Sequence, residues 1–410
     1  MRTYLAAGAL GLVVSGAIAC DGAAPAGSWA GSITDSAGIS IVTSRGPGIW
    51  AESEQWLVEP DLRIGEFGGD PRYQFGQIGS LALNGVGNIL VVDRQAREVR
   101  EFTAQGEYVR TIGSPGQGPG QFERGVTDIF LTKGDTLLVP DVRNRRVHRF
   151  APDGSLLDAV SLDIGKYRVL RSRWSAVRAE GVMQVRPAAS ESEDQPNDEL
   201  RVVNSDGSLG AVLLSLPRGG LFEPGGALRY FTPEPMWGVT DSLTVMYGVT
   251  GEYRLGLYDR GGALRTVIAR EHMPRPITDR DIRAFFAYLD RAWLANGARP
   301  DQLRANRQRV RFAETFPAFS AVHQGPQGTI WVQRVQAPGD LSDERIELYN
   351  FIEDFGAADW DVFDAAGRLL GMVRMPLRFQ PRLFVGDAIY GVVRDEFDVQ
   401  YVVRVRVVTP

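Results

Sequence analysis

Few residues in this chain have the chemistry of a catalytic centre. It has three histidines, His148, His272 and His323, and one cysteine, Cys20. A catalytic zinc ion usually takes three protein ligands, so a three-histidine site would need all three to converge. Carboxylates are too plentiful to single out by spacing, because Asp and Glu together number 50. No Gly-x-Ser-x-Gly segment occurs, so the nucleophile of that hydrolase class is missing. We predict no catalytic residue, no metal ligand and no cofactor.

Cys20 lies at the end of an export signal. A short positive start and an apolar run over 5–14 are followed by small residues, which predicts a signal peptide over residues 1–19. Ala17-Ile18-Ala19-Cys20 resembles the lipobox of bacterial lipoproteins, in which the cysteine carries the lipid. The resemblance implies lipidation of Cys20 and anchoring to a bacterial membrane, facing the periplasm or the cell exterior. An ordinary secretory signal and an uncleaved anchor helix are the alternatives.

The composition limits the classes of partner. A net charge of -5 and a pI near 5.5 provide no basic field of the kind that attracts nucleic acid, so no nucleic-acid partner is expected. A single cysteine forms no intramolecular disulfide, so the fold depends on its apolar core. Gly, Ala and Ser dominate the segment after Cys20, which predicts a flexible tether over 20–38. We expect a monomer.

An internal repeat determines the predicted architecture. The segment from Asp93 to Gly106 recurs from Asp141 to Gly154, with Asp, Arg, Val, Phe and Gly at the same separation of 48 residues. An apolar residue, three turn-forming residues and a glycine end each unit, as in a tight hairpin. Five pairs follow this pattern: Phe102/Gly106, Phe150/Gly154, Val203/Gly207, Tyr258/Gly262 and Phe363/Gly367.

Six short apolar runs predict one equivalent strand in each repeat unit. They begin at Asn88, Asp135, Val182, Ser242, Thr329 and Asp387. Radial repetition of small antiparallel sheets is how a β-propeller protects its strand edges. We predict an all-β, six-bladed β-propeller with four-stranded antiparallel blades over 39–410; seven blades are the alternative. The runs beginning at Ile39 and Trp56 are predicted to complete the last blade and close the ring.

The linkers of the repeat resemble those of the NHL family. Ile64-Gly65 to Phe75 and Ile112-Gly113 to Phe122 are similar to the Gly- and Pro-rich linkers between NHL blades, and Asp141-x-x-Asn144-x-Arg146-Val147 resembles the core of that motif. Ala96 stands where the motif has Asn in the first unit. The resemblance covers about residues 64–160 and implies the six-bladed fold.

One insertion interrupts the regular spacing of the repeat units in the region of the fifth blade. Thr278 is a helix N-cap candidate, and Ile282, Phe285, Phe286, Leu289 and Trp293 form an apolar stripe at helical spacing. A helical insertion is therefore predicted over about 277–314. Its second helix carries four arginines, a candidate rim for partner binding: Arg304, Arg307, Arg309 and Arg311. The alternative is an insertion that only packs on the propeller.

Three functional hypotheses follow. The first is a non-catalytic binding or scaffolding propeller at the cell envelope, with an unknown protein, peptide or carbohydrate partner or a small ligand. The second is a metal-assisted hydrolase or lyase, because lactonase-like propellers hold a divalent cation with carboxylates. The third is sugar or peptide binding by exposed aromatics such as Trp237, Trp331 and Trp360. Asp93 and Asp141 recur with the blade, which favours turn capping over catalysis. A fold alone does not distinguish these functions.

Overall fold

The computed structural model describes residues 28–123, 126, 128–132, 134–162, 166–174, 181–187, 197–204, 208–217 and 227–410. The predicted signal peptide and Cys20 lie outside the described residues, as does Gly207 of the predicted hairpin series. The predicted tether lies partly outside them, and its residues 31–36 form a strand.

Thirty strands and four α-helices make up the described chain. The first three strands are β1 (Gly31–Ser36), β2 (Ile39–Ser44) and β3 (Leu57–Ile64). Blade 1 contains β4 (Ile78–Leu83), β5 (Ile89–Asp93), β6 (Glu98–Phe102) and β7 (Tyr108–Ile112), and the linker after it holds the short parallel pair β8 (Ser114–Pro115) and β9 (Gln121–Phe122). Blade 2 contains β10 (Phe130–Leu131), β11 (Leu137–Asp141), β12 (Arg146–Phe150) and β13 (Leu156–Ser161). Blade 3 contains β14 (Tyr167–Trp174), β15 (Gly181–Pro187), β16 (Asp198–Val203) and β17 (Leu209–Leu216), and β18 (Leu228–Tyr230) follows it.

The second half of the chain forms the other three blades. Blade 4 contains β19 (Pro235–Val239), β20 (Val245–Val249), β21 (Arg254–Tyr258) and β22 (Leu264–Arg270). The helices α1 (Asp279–Ala295) and α2 (Leu303–Gln308) follow, and then β23 (Val310–Phe312). Blade 5 contains β24 (Ala321–Gln324), β25 (Ile330–Val335), β26 (Gly356–Phe363) and β27 (Leu369–Arg374), and α3 (Asp343–Glu347) and α4 (Phe351–Asp354) separate its second and third strands. Blade 6 contains β28 (Gln380–Val385), β29 (Ala388–Arg394), β30 (Gln400–Val408) and β3.

The predicted six-bladed β-propeller is confirmed, with four antiparallel strands in each blade. All six predicted apolar runs contribute the second strand of a blade, from β5 to β29. The four described glycines of the hairpin series have positive φ angles, from 79° at Gly262 to 90° at Gly367. These glycines therefore adopt the left-handed conformation that the tight turn requires.

Six apolar clusters hold the ring together, one at each junction between neighbouring blades. Side chains alternate along each second strand, so both faces are buried: Ile89 and Val91 pack toward blade 6, whereas Leu90 and Val92 pack toward blade 2. This two-sided burial explains why these strands are continuous apolar runs in the sequence.

The N-terminal strands attach at two different places. β3 pairs antiparallel with β30 and completes blade 6, as predicted from the run at Trp56. The prediction for the run at Ile39 was wrong: β2 pairs in parallel with β22 at the outer edge of blade 4, and β1 adds outside it. Between them, the Ile49 and Trp50 amides donate to carbonyls of β27 in blade 5. The N-terminal segment is thus a strap across the outer edges of three consecutive blades.

The two faces of the ring differ. Because strands alternate in direction, the turn between the second and third strands of a blade lies on the same face as the connection to the next blade. Three additional segments lie on this face: 227–233 before blade 4, 272–318 before blade 5, and 336–355 inside blade 5. We call them together the insertion module and their side of the ring the insertion face. The predicted helical insertion over 277–314 is present, but it is only one of three parts.

Candidate functional site

The central channel is a cavity with a volume of about 1950 Å³. The first strand of every blade contributes to its wall. On the insertion face the wall extends beyond the strands, because residues from all three segments of the insertion module also line the cavity: 229–232, Pro317, 351–353 and Phe355. The mouth on this face therefore has two unlike sides: the turns of blades 1 to 3, and the module.

Arginines mark the side formed by blades 1 to 3. Arg94 directly follows β5, Arg143 lies in the turn after β11, and Arg168 is near the start of β14, so all three belong to the insertion-face end of the channel. All three side chains are exposed. Arg143 has a distant partner, with 3.8 Å between its Nε and Oε2 of Glu123. For Arg94 and Arg168, no ion pair is found within the part of the chain that the structure describes.

Aromatic side chains form the opposite side. Tyr230, Phe231, Phe351 and Phe355 all line the channel and pack on one another. The ring centroids of Phe351 and Phe355 are 5.0 Å apart, and those of Phe231 and Phe355 are 5.8 Å apart and stacked. Such pairs stabilise a cluster beyond the area that they bury. Phe231 has a φ of 60°, an uncommon and strained conformation for a bulky residue, which the packing around its ring maintains.

The aromatic side is part of an apolar core that is separate from the blade junctions. This core joins all three segments of the module, and in it Tyr230 and Phe231 pack with three other buried residues: Phe285 of α1, Val310 of β23 and Tyr349. β18 and β23 also pair in parallel, which links the first and second segments through the backbone. The predicted apolar stripe of α1 is therefore covered, with Phe285 and Leu289 buried and Ile282, Phe286 and Trp293 half-buried. Its cover comes from the other two module segments and from β23 and Phe316 of its own segment.

Asp281 connects two segments of the module through polar contacts. As predicted, Thr278 is the N-cap of α1, and its amide donates to Oδ2 of Asp281 at 2.9 Å. The Gly339 amide of the third segment donates to Oδ1 of Asp281 at 2.8 Å. Burial alone would raise the pKa of Asp281, but the hydrogen bonds from Thr278, Gly339 and Arg275 outweigh it and hold the pKa below its ordinary value.

Asp93 and Asp141 have the turn-capping role that their repetition indicated. Oδ1 of Asp93 accepts hydrogen bonds from the Gln95 and Ala96 amides, both at 3.0 Å. The Asn144 amide donates to Oδ1 of Asp141 at 3.2 Å. Burial raises the pKa of Asp141, but nearby His148, whose Nε2 is 3.8 Å from Oδ2, and hydrogen bonds from Asn144 offset this and bring the pKa below its usual value. Neither aspartate lines the channel.

The three histidines are far from forming one site. His148 is buried in blade 2, where the Gly120 amide donates to its Nδ1 and Phe122 packs on it edge to face. His272 is exposed in the module. Partial desolvation of its ring, together with the positive charge of nearby Arg270, lowers its pKa. His323 alone lines the channel and stacks on Phe384. Among the described residues, no three His, Cys, Asp or Glu side chains are grouped so as to hold a metal ion.

The four arginines predicted as a partner-binding rim lie outside the channel lining. Arg307 is paired with Asp290 and lies over the ring of Phe286, and Arg311 donates to the Gln308 and Val310 carbonyls. Arg304 and Arg309 are exposed on the outer side of the module. The structure does not bring these residues together with Arg94, Arg143 and Arg168. Their role in partner binding stays a prediction.

The aromatic residues proposed as exposed ligand contacts are core residues. Trp237 is 2% exposed, and Trp331 and Trp360 are 0% exposed. Trp237 packs between blades 3 and 4, and the other two pack between blades 5 and 6. The prediction of exposure was wrong because the strand pattern did not indicate which tryptophans lie between two blades.

The arginines and the aromatic residues that line the channel mouth were not predicted from the sequence. Arg94 and Arg143 follow the repeated Asp93 and Asp141 by one and two positions, and this spacing was the available signal. It is weak, because Lys and Arg together number 45. The aromatic side had no such signal, since its members come from segments separated by blade 4 and half of blade 5.

Comparisons with known proteins agree on the architecture. A family model described as a 6-bladed β-propeller, DUF5128, matches residues 71–173, which span blades 1 and 2 and most of the first strand of blade 3. No curated protein matches the chain. Sequence resemblance to NHL repeats stays a prediction, as does lipidation of Cys20. No helix within the described residues has both the length and the apolarity needed to cross a bilayer.

Solved structures with similar chains have very different sequences. A putative exported protein from Bacteroides fragilis is 11% identical, with a TM-score of 0.49, over 90% of this chain and 100% of that one. A DUF4221 family member from Bacteroides vulgatus is 10% identical, with a TM-score of 0.49, over 88% and 99%. A virginiamycin B lyase from Staphylococcus aureus is 8% identical, with a TM-score of 0.44, over 86% and 100%. Identities this low carry no information on ligand or reaction.

Proposed function

We propose that this protein is a binding propeller of the bacterial envelope, with its ligand site at the insertion-face mouth of the central channel. The observation that carries the proposal is the convergence of all three module segments on that mouth. A ring of six blades is already closed without them, since the blade junctions have their own cores. The module instead adds a second wall to a cavity of about 1950 Å³.

The chemistry of the lining favours binding over catalysis. A metal-assisted hydrolase of the lactonase-like kind needs several carboxylates that converge on one ion. The described residues contain no such group, and His323 is the one histidine among the lining residues. Exposed cations opposite an aromatic wall are the features of a recognition site, in which few polar groups orient a ligand against apolar surface.

A channel-filling substitution tests this proposal. Ser80 lies on β4 and lines the channel, so Ser80→Trp should occupy the cavity without changing the blade junctions. Small molecules from an envelope extract would be identified by mass spectrometry after binding to the full chain. We expect at least one compound to be retained stoichiometrically by the wild type and lost by Ser80→Trp. Ser161→Trp is the control, because Ser161 is exposed on the outermost strand of blade 2.

Two results would contradict the proposal: retention of no compound by the wild type, or equal retention by Ser80→Trp. A thermal melt of each variant shows whether it is folded before binding is compared.

The envelope location depends on the N-terminal sequence pattern and has its own test. Cys20→Ser should abolish incorporation of a labelled fatty acid and release the protein from the membrane fraction, because the lipid would have no thiol to attach to. The measurement is autoradiography or click labelling of membrane and soluble fractions. Labelling that persists in the variant would refute lipidation, and an ordinary secretory signal would then be the better interpretation.

A further inference from the structure

We infer that the channel mouth binds an amphipathic carboxylate: an apolar chain or ring system that ends in one carboxylate group. This inference rests on the proposed binding function and specifies the ligand class. Its basis is the difference between two sides of one cavity: blades 1 to 3 contribute Arg94, Arg143 and Arg168, whereas the module contributes aromatic side chains and Arg229, which already has a partner.

The arginine side supplies the anion contact. Arg94 comes from blade 1 and Arg168 from blade 3, and Arg143 of blade 2 lies between them in the sequence and around the ring. Guanidinium groups match the geometry of a carboxylate with two parallel hydrogen bonds. Because Arg94 and Arg168 have no ion pair within the described residues, a ligand carboxylate would not have to displace an internal partner.

The module side supplies the apolar contact. Ile352 lines the cavity and is 80% exposed. It follows half-buried Phe351, which packs on the module core. Phe351 and Phe355 present further apolar surface to the channel. Covering the exposed isoleucine with an apolar group of the ligand removes apolar surface from water, which favours binding.

The carboxylates of the lining limit where an anion can lie. Asp128, Glu234 and Asp241 line the cavity as well, and each already has a partner. Glu353 forms an ion pair with Arg394, with 2.5 Å between Oε1 and Nε. Burial raises the pKa of Glu353, and nearby Arg394 lowers it only in part. Arg229 of the module and Arg382 of blade 6 also line the cavity, and each already has a partner. The ligand carboxylate is therefore placed toward blades 1 to 3, where Arg94 and Arg168 have no ion pair within the described residues.

The size of the cavity fits a ligand that reaches both walls. About 1950 Å³ is larger than the roughly 300–1,000 Å³ of a usual small-molecule pocket. A small anion such as acetate would contact the arginines alone and bind weakly. An extended amphiphile contacts both sides, so the apolar part and the charge both contribute to affinity.

The experiment compares three ligands with the same chain and different head groups. Dodecanoate, dodecyl maltoside and dodecyltrimethylammonium would be titrated into the full chain by calorimetry, below the concentrations at which they form micelles. We expect saturable one-to-one binding of dodecanoate and at least tenfold weaker binding of the neutral and cationic amphiphiles. Acetate should bind at least a hundredfold more weakly than dodecanoate.

Two double variants locate the anion contact. Arg94→Ala with Arg168→Ala should weaken dodecanoate binding at least tenfold, because charge-assisted hydrogen bonds are lost. Arg254→Ala with Arg283→Ala removes the same charge from exposed positions outside the channel and should leave the affinity within about twofold. Ile352→Ser should weaken dodecanoate binding but not change the weak binding of acetate.

The outcomes separate this inference from the proposed function. Equal binding of all three amphiphiles, or equal loss in both double variants, would overturn the carboxylate inference. Absence of dodecanoate binding, together with a Ser80→Trp-sensitive compound from the envelope extract, would overturn the ligand class and leave channel binding intact. Failure of the extract experiment alone would count against the proposed function.

Discussion

The ring and the insertion module are stabilised in different ways. Each blade junction of the ring is built from residues of neighbouring blades, and the same kind of junction recurs six times. The module has one core, and its members come from three segments that the ring separates in sequence. The ring therefore has six similar junctions, each formed by neighbouring blades. The module has a single core, so its stability depends on contacts that are not repeated elsewhere.

This difference predicts that the module tolerates partial removal poorly. A Gly-Ser bridge in place of 277–314 alone would remove Phe285, Leu289 and Val310 and leave Tyr230 and Phe231 uncovered. We expect that variant to aggregate, because a large apolar patch becomes exposed. Size-exclusion chromatography with light scattering measures this outcome. A soluble monomer would show that the other two segments are stable without α1.

The matched variant removes the module more completely. It has Gly-Ser bridges in place of 273–316 and 338–354, with Tyr230→Ser and Phe231→Ser. We expect a soluble, folded propeller, since the six blade junctions stay intact. If this variant also aggregates, the module is a structural requirement of the ring. If it folds and keeps every partner, the predicted role of Arg304, Arg307, Arg309 and Arg311 is wrong.

A core substitution in the ring has the next largest effect. Phe150 is 2% exposed and packs at the junction of blades 1 and 2. Phe150→Ala should lower the free energy of unfolding by about 3–5 kcal/mol, because a buried aromatic leaves a cavity. Urea denaturation measures the change, with Leu157→Ala as the control, since Leu157 is 57% exposed on β13 of the same blade. A loss below about 1 kcal/mol would contradict the assigned packing.

Substitution of Asp281 tests whether the module can be destabilised without an effect on the ring. Asp281→Ala removes the capping contact of α1 and leaves the Gly339 amide and Arg275 without their buried acceptor. We expect a loss of about 2–3 kcal/mol in the stability of the module. Hydrogen exchange should increase in α1 and around Gly339, and stay unchanged in blades 1 and 2. Asp281→Asn is the control, because its amide oxygen still accepts one bond; an equal effect in both variants would show that the charge is essential.

The pH dependence of the module should be smaller and has a defined sign. The pKa of Asp281 is lower in the folded protein than its ordinary value, so the folded state favours the ionised form. Its stabilisation is fully present above the unfolded pKa, about 3.9, and is lost as the pH falls below it toward the folded pKa. Near-ultraviolet circular dichroism between pH 6 and about pH 3 should show an early change in the wild type that is reduced in Asp281→Asn. An identical profile in both would exclude Asp281 as the cause.

The sequence predicted the ring well because its signals are local and repeated. The apolar runs at Asn88 and Asp135 predict equivalent strands, and the hairpin glycines predict equivalent turns. The partner of β2 was not predictable, because a five-residue β-branched run indicates a strand but not the edge it joins. The mouth was not predictable either, since no spacing indicated which arginines face the channel.

The strap described above has a consequence for the order of folding. β3 precedes all six blades in the chain, yet its partner β30 follows the other strands of the ring. A ribosome therefore releases β3 long before its hydrogen-bonding partner exists, and the last blade can assemble only once both ends of the ring are available. Closing so long a loop is slow, because the entropy of bringing distant segments together must be overcome before any contact compensates for it. During synthesis, the nascent chain therefore exposes the unpaired edges of β3, the strand that later closes the ring.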